Sequence, residues 1–360
     1  MSILPTTKLN QLGQSLWLDN ITRDLLDKGT LKRYIDELSI TGLTSNPTIF
    51  DHAISRNAWY DTDISTQRDA GVRGEDLFFN LAIQDLSRAA DLFLPVHQRT
   101  ATVDGYVSLE VSPLLAYDTA ATVAQAKALH AKARKPNLFI KIPGTAEGVP
   151  AIEESIFAGV PINVTLLFST DQYKAAADAY LRGIERRVAA GLSADVRSVA
   201  SLFVSRWDVA VTGKVPADLR NTLGMAVGAQ VYQAYRTMLA SDRFQRLANV
   251  GARAQRLLFA STGTKDKAAS DTLYVTGLAA PNTINTIPEE TLLAFADHGK
   301  IAGSLPHDGG GAEATLAAHV RAGIDLAALA SQLQSDGAKA FTKSWHDLLG
   351  AIEAKSKTLA

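Results

Sequence analysis

The segment Leu138-Phe139-Ile140-Lys141-Ile142-Pro143-Gly144-Thr145 holds the residue best suited to covalent chemistry, because an ammonium group interrupts an otherwise apolar strand. Burial disfavours the charged form of a lysine, and the neutral amine is the form that attacks a carbonyl carbon. A lysine there also fits the exposed edge of a sheet, where charge blocks pairing with another chain. In Val107-Ser108-Leu109-Glu110-Val111-Ser112-Pro113, Glu110 shares a face with Ser108 and Ser112 near a strand end. Its carboxylate suits activation of a water; a structural ion pair is the other use. Asn163 and Thr165 lie two apart in the run from Ile162 to Phe168 and so leave a strand in the same direction. Left unpaired in a core, each would cost about 1–3 kcal/mol, so an amine, a ligand hydroxyl, a water or another protein group must meet them. Asp19, closing Leu16-Trp17-Leu18-Asp19, and Asn46, in Thr44-Ser45-Asn46-Pro47, complete a ring of polar residues from five runs. Either residue type also serves as a helix N-cap or turn residue.

Two further runs end in hydroxyls and a cation: Ser201-Leu202-Phe203-Val204-Ser205-Arg206 and Ala260-Ser261-Thr262-Gly263-Thr264-Lys265. A guanidinium, a hydroxyl and backbone N–H groups converging at a loop grip a phosphate, most often after the seventh and eighth strands of a barrel. No P-loop or dinucleotide fingerprint accompanies them, since Gly263 lacks the first glycine and the spacing. The seven histidines, among them His97, His130, His298, His307 and His346, show no metal-ligand pairing and read as surface or structural residues.

Elements must bring these positions together. Short apolar runs recur at 16–18, 42–43, 107–111, 138–142, 162–168, 199–204, 256–260 and 272–275, mostly separated by helical stretches. Apolar strands joined by crossover helices predict a parallel sheet covered on both faces, and eight such units in roughly 250 residues predict a closed (β/α)8 barrel. A doubly wound open sheet is the runner-up. Phe78, Leu81, Ala82, Leu86, Ala89, Ala90 and Phe93 repeat at helical spacing as a packing stripe, and Ser169 or Thr170 caps a helix through Val188. A shorter helix spans 31–38. The glycine-rich stretch Asp308–Gly311 leads into a helical tail, 312–360, whose Leu326, Leu329, Leu333, Phe341, Trp345, Leu348 and Leu349 predict packing on the barrel within one domain, 1–360.

The bulk numbers agree with a soluble α/β protein: 46% hydrophobic residues, no membrane-length apolar run, and 36 basic against 37 acidic residues. That balance supplies no global field for nucleic acid or an anionic membrane, so an anionic partner must be gripped locally. The chain has no cysteine, which removes disulfides, thiolate chemistry and Cys-ligated zinc. The N-terminal residues show neither a basic leader nor a signal-peptide core, so the expected location is cytoplasmic.

Together these residues resemble the transaldolase family, in its long bacterial type, through about residues 12–300 and more loosely through the tail. The specific matches are Gly42-Leu43-Thr44-Ser45-Asn46-Pro47-Thr48-Ile49-Phe50, Phe139 to Thr145, and Ile162 to Ser169. The resemblance implies that Lys141 forms a Schiff base with a ketose. It implies transfer of a dihydroxyacetone unit from sedoheptulose 7-phosphate to glyceraldehyde 3-phosphate in the pentose phosphate pathway, with no metal or organic cofactor. By the same carry-over, Glu110 and Thr165 hold the catalytic water and Asp19 moves the proton at the C4 hydroxyl. Asn46 and Asn163 then bind the dihydroxyacetone moiety, Thr44 is a further substrate-binding residue, Ser201 and Phe203 line the site, and Arg206 and Ser261 bind phosphate. Many family members carry an arginine two residues after the serine matching Ser261, whereas this chain has Gly263 and then Lys265, a point charge without the bidentate fork. Phe139, Leu167, Phe203 and the tail are expected to keep water from the intermediate. A fructose-6-phosphate aldolase, releasing the three-carbon ketone, and a non-catalytic barrel that binds sugar phosphates are the competing readings; a monomer or a homodimer fits either.

Overall fold

The computed structural model describes residues 3–359. Eight parallel strands carry the fold: β1 (Gln14–Leu18), β2 (Ile40–Leu43), β3 (Val107–Glu110), β4 (Leu138–Pro143), β5 (Ile162–Leu167), β6 (Ser198–Phe203), β7 (Gln255–Ala260) and β8 (Thr283–Ile287). They pair in the order β2-β1-β8-β7-β6-β5-β4-β3. The remaining seam is bridged by backbone bonds from Gly105 N–H to Thr41 O (2.9 Å) and from Leu43 N–H to Tyr106 O (3.0 Å), so the sheet wraps into a (β/α)8 barrel. The open doubly wound sheet is thereby set aside.

Seven strands fall on the apolar runs, with ends shifted by a residue or two. The run at 272–275 does not: Leu273–Gly277 is a short helix, and the eighth strand lies ten residues later. That strand reads Thr-Ile-Asn-Thr-Ile, too polar to register as an apolar run, yet every residue in it is buried. All but one of its polar side-chain groups are paired inside the protein: Gln14 Nε2 donates to Thr283 Oγ1 (2.8 Å), Thr262 Oγ1 to Asn285 Oδ1 (2.7 Å), and the Thr286 and Thr44 hydroxyls lie 2.6 Å apart, while Asn285 Nδ2 has no partner among the described residues. Internal hydrogen bonding replaces hydrophobicity as the condition for burial.

Strand register determines which side chains enter the bore. Glu110 is opposite Lys141, and Lys141 opposite Asn163. Below them Trp17 fills the bore at the level of Gly42, where an added Cβ would stand 2.6 Å from the indole ring, so only glycine leaves room. Trp17 is also stacked on Phe139 (6.2 Å), and Phe139 on Tyr106 (4.2 Å). Asp104 accepts from Trp17 Nε1 (2.8 Å) and from the Ser15 hydroxyl, and faces Arg256 at 3.8 Å. These residues form a packed, hydrogen-bonded plug beneath Lys141, and on its far side Ser15, Trp17, Asp104 and Arg256 line a second cavity of about 370 Å³.

The helix Gly74–Arg99 buries the whole stripe from Phe78 to Phe93, and Ser169 caps the helix Thr170–Ala189 by accepting from Gln172 N–H (3.2 Å). The 31–38 expectation corresponds to Thr30–Glu37. After Gly311 the tail forms Ala312–Arg321 and the 33-residue helix Leu326–Thr358, which crosses the upper face against the helices Pro47–Ser55 and Gly74–Arg99 and the end of β5. Trp345 is fully buried against Phe78 (4.9 Å, edge-on) and Phe79 (5.6 Å). Leu333, Phe341 and Leu348 are buried beside it, while Leu326, Leu329 and Leu349 are partly covered. Each large apolar side chain so covered contributes roughly 1.5–3 kcal/mol.

Candidate active site

A cavity of about 310 Å³ opens at the C-terminal end of the strands. Asp19, Thr44, Asn46, Lys141, Thr165, Ser201, Phe203, Arg206, Ser261 and Lys265 line it, each from the strand end or following loop where the sequence puts it. Glu110 and Asn163 stand one step behind that wall. Glu110 reaches it through Lys141; Asn163 accepts from Ser201 Oγ (2.7 Å) and donates to Ser108 Oγ (3.1 Å).

Lys141 is buried in the bore, not on an edge. Its Nζ donates to the Ser45 carbonyl (2.9 Å) and lies 3.1 Å from Glu110 Oε2. Ser45 is fixed in turn by its own hydroxyl, which donates to Ser108 O (2.7 Å). Burial pushes the Glu110 carboxyl above the usual carboxylate range; Lys141 pulls it back and Asp19 adds to the rise. Thr165 Oγ1 is buried with no hydrogen-bond partner among the described residues, so a polar group of known position awaits a water or a ligand oxygen.

Asp19 does not cap the helix Arg23–Asp27, since Thr22 does. It accepts from Thr44 Oγ1 (2.7 Å) at the cavity wall. Burial raises its carboxyl too, against the opposing pull of Thr44, Lys141 and Lys265. Asn46 serves both uses: its Oδ1 caps the helix Pro47–Ser55 by accepting from Ile49 N–H (3.0 Å), which leaves its Nδ2 donor for a ligand.

Arg206 and Lys265 make the cationic end. The Arg206 guanidinium lies over the Phe203 ring (5.1 Å) and 6.0 Å from Phe341, and forms no salt bridge among the described residues. Burial lowers its pKa from the ordinary arginine value and only Asp336, at longer range, supports the charge. A half-buried cation without a counter-ion is suited to meet an anion. Ser261 holds a left-handed φ of 55°, and its hydroxyl lies 2.9 Å from that of Ser205. Lys265 Nζ is 3.7 Å from where a Gly263 Cβ would lie, so the lysine folds back over the glycine toward the cavity.

Several wall residues escape sequence reading. His52 lines the cavity, contrary to its expected surface or structural role; its place one helical turn after Ile49, on the helix that Asn46 caps, is the signal that could have found it. Thr286 belongs to the strand that the apolar pattern misses, and Phe341 arrives from the tail. Phe139 and Leu167 do not line the cavity. Phe139 belongs to the plug below, and Leu167 faces outward, paired with Leu202 in register and packed near Gly144. Phe203, Phe341, Ile49 and Pro288 supply the apolar cover instead.

The family model described as Transaldolase/Fructose-6-phosphate aldolase matches residues 16–352. The chain belongs to the transaldolase/fructose-6-phosphate aldolase family. A transaldolase from Thiobacillus denitrificans is 44% identical over 96% of this chain and 99% of its own length. One from Arthrobacter sp. (strain FB24) is 42% identical over 97% of this chain and 96% of its own, and transaldolase 2 of Streptomyces coelicolor 42% over 98% and 97%. In this member of the transaldolase/fructose-6-phosphate aldolase family, the three resembling motifs converge on one cavity: Asn46 and Ser45 of the first meet Lys141 of the second and Thr165 of the third.

Proposed function

We propose that this chain is a transaldolase that moves a dihydroxyacetone unit from sedoheptulose 7-phosphate to glyceraldehyde 3-phosphate, giving erythrose 4-phosphate and fructose 6-phosphate. Lys141 Nζ passes a proton to Glu110 and adds to the C2 carbonyl of the ketose. The resulting carbinolamine loses water as Glu110, through a water held at Thr165, returns the proton to the departing hydroxyl. The imine nitrogen, protonated, then draws electrons. Asp19 takes the proton of the C4 hydroxyl, the C3–C4 bond breaks, and its electron pair moves toward the imine to leave an enamine. The aldehyde departs. The acceptor aldehyde enters, the enamine carbon attacks it, and Asp19 returns its proton to the new C4 oxygen. Hydrolysis by the reverse of imine formation frees the product. Asn46 and Asn163 orient the three-carbon unit, Ser201 and Phe203 shape the wall, and Arg206, Ser261 and Lys265 hold phosphate.

The observation that carries this reading is the buried Lys141 amine, 3.1 Å from Glu110, in one cavity with Asp19 and an unpaired guanidinium. Raised carboxyls at Glu110 and Asp19 suit proton transfer, because a catalytic acid or base works best with a pKa near the working pH. The test is intact-protein mass spectrometry after incubation with fructose 6-phosphate and borohydride. One reduced dihydroxyacetone adduct is expected on the wild type and none on Lys141→Ala; no adduct on active wild-type protein defeats the Schiff-base reading.

The family description also names a fructose-6-phosphate aldolase, which would release free dihydroxyacetone. The full-length relatives favour transfer, and product analysis with and without acceptor separates the two. Sugar phosphates as substrates favour a cytoplasmic location, and the reading takes the chain as a monomer or a homodimer; among the described residues no helix is long and apolar enough to cross a membrane.

A further inference from the structure

We propose that Gln334, on the long C-terminal helix, is a positioning residue that sets Thr165 relative to Lys141; the proposal rests on the Schiff-base reading above. β5 contains one extra residue. Val164 is opposite Ala200 but Leu167 is opposite Leu202, so between them β5 advances three residues while β6 advances two. Leu166 takes up the difference with a φ of 58°, a left-handed conformation that a leucine adopts only when its surroundings impose it. The bulge follows directly on Thr165, whose partnerless hydroxyl lies in the cavity wall with Lys141.

Two backbone oxygens at this bulge turn toward the tail instead of a neighbouring strand. Gln334 Nε2 donates to both, to Gly144 O (2.8 Å) and to Leu166 O (3.0 Å). The Gly144 N–H meanwhile donates to Thr165 O (2.8 Å). Thr165 is therefore held from one side by Gly144 and from the other by the amide that bonds the residue after it. The helix is seated close on the bulge: a Cβ on Gly337, one turn beyond Gln334, would stand 2.8 Å from Leu166 Cδ2. Without the amide, Leu166 is free to relax from its left-handed conformation toward an extended strand, which shifts every side chain after Val164. The group that moves first is the hydroxyl assigned to the catalytic water.

Two substitutions test this. Gln334→Met keeps length and apolar packing but removes both donors; Gln334→Lys restores a donor on a side chain of similar reach. The expected result for Gln334→Met is a fall in kcat of about 10- to 100-fold, the cost of misplacing a group by about an ångström. KM for the phosphorylated donor should stay within about twofold, because the phosphate grip is untouched. Borohydride trapping should slow in step with kcat, and amide exchange over residues 163–168 should rise. Gln334→Lys should recover most of kcat and restore the slow exchange. Unchanged kcat in Gln334→Met overturns the proposal, as does equal loss in both variants or a loss confined to KM. Exchange reports on the clamp without any turnover, so a wild type that forms no adduct would defeat the functional reading while leaving the clamp to be judged on its own.

Discussion

Replacing Arg206 by methionine separates the phosphate grip from the stability of the fold. In most proteins, deleting a buried charged residue strands its partner and costs stability. Here no salt-bridged carboxylate is stranded, because Arg206 has no salt bridge among the described residues; the rings of Phe203 at 5.1 Å and Phe341 at 6.0 Å lie near it, and Asp336 acts on it only at longer range. The loss of cation–π contact, about 0.5–2 kcal/mol, is offset by release from a burial that already disfavours the guanidinium charge. The melting temperature should therefore change little. Binding should change a great deal: hydrogen bonds to a charged group contribute about 1.5–3 kcal/mol, which converts to a rise in KM of roughly 10- to 150-fold for a phosphorylated donor. Steady-state kinetics with fructose 6-phosphate and with unphosphorylated fructose, at saturating acceptor, reads the difference. The phosphorylated substrate should lose most of its advantage while fructose is turned over as before. An equal loss on both substrates, or a large drop in melting temperature, would refute the assignment of Arg206 to phosphate and make it a structural residue.

Asp19→Asn should abolish transfer and at the same time stabilise the fold at neutral pH. The Asp19 carboxyl is raised by burial, so it favours the folded state when protonated. That contribution is present below the normal carboxylate range and is lost as pH rises through the raised value. The gain from asparagine should accordingly shrink on acidification, and melting curves from neutral pH down to about 4 check the sign. Trp345→Ala should cost about 3–5 kcal/mol, since the ring is fully buried between Phe78 and Phe79 and its Nε1 has no hydrogen-bond partner to strand. A denaturation midpoint close to that of the wild type would show that the tail is dispensable to the core.

The barrel was legible where burial and hydrophobicity coincide. Seven strands are apolar runs, and the polar residues at their ends are conspicuous for that reason. β8 was not legible, because Thr283, Asn285 and Thr286 are buried by pairing with Gln14, Thr262 and Thr44, partners that are distant in sequence. The run at 272–275 reads as a strand on composition alone, and nothing local marks it as a helical turn. Alternation places Leu167 in the bore, and the single extra residue at Leu166 turns it out; a bulge leaves no trace in a hydrophobic pattern. Lys141, Glu110 and Asp19 could be read from their own strands. His52 and Phe341 belong to the same wall only through the packing of helices onto the barrel.

The plug of Trp17, Phe139 and Tyr106 beneath Lys141 also governs traffic. A floor that is packed with rings and tied by Asp104 admits nothing from below, so departing and arriving aldehydes share one doorway at the top of the barrel. They must use it in turn, with the three-carbon fragment tethered to the lysine throughout. A double-displacement rate law, in which each aldehyde competes with the other for the vacated mouth, is the kinetic signature of that floor.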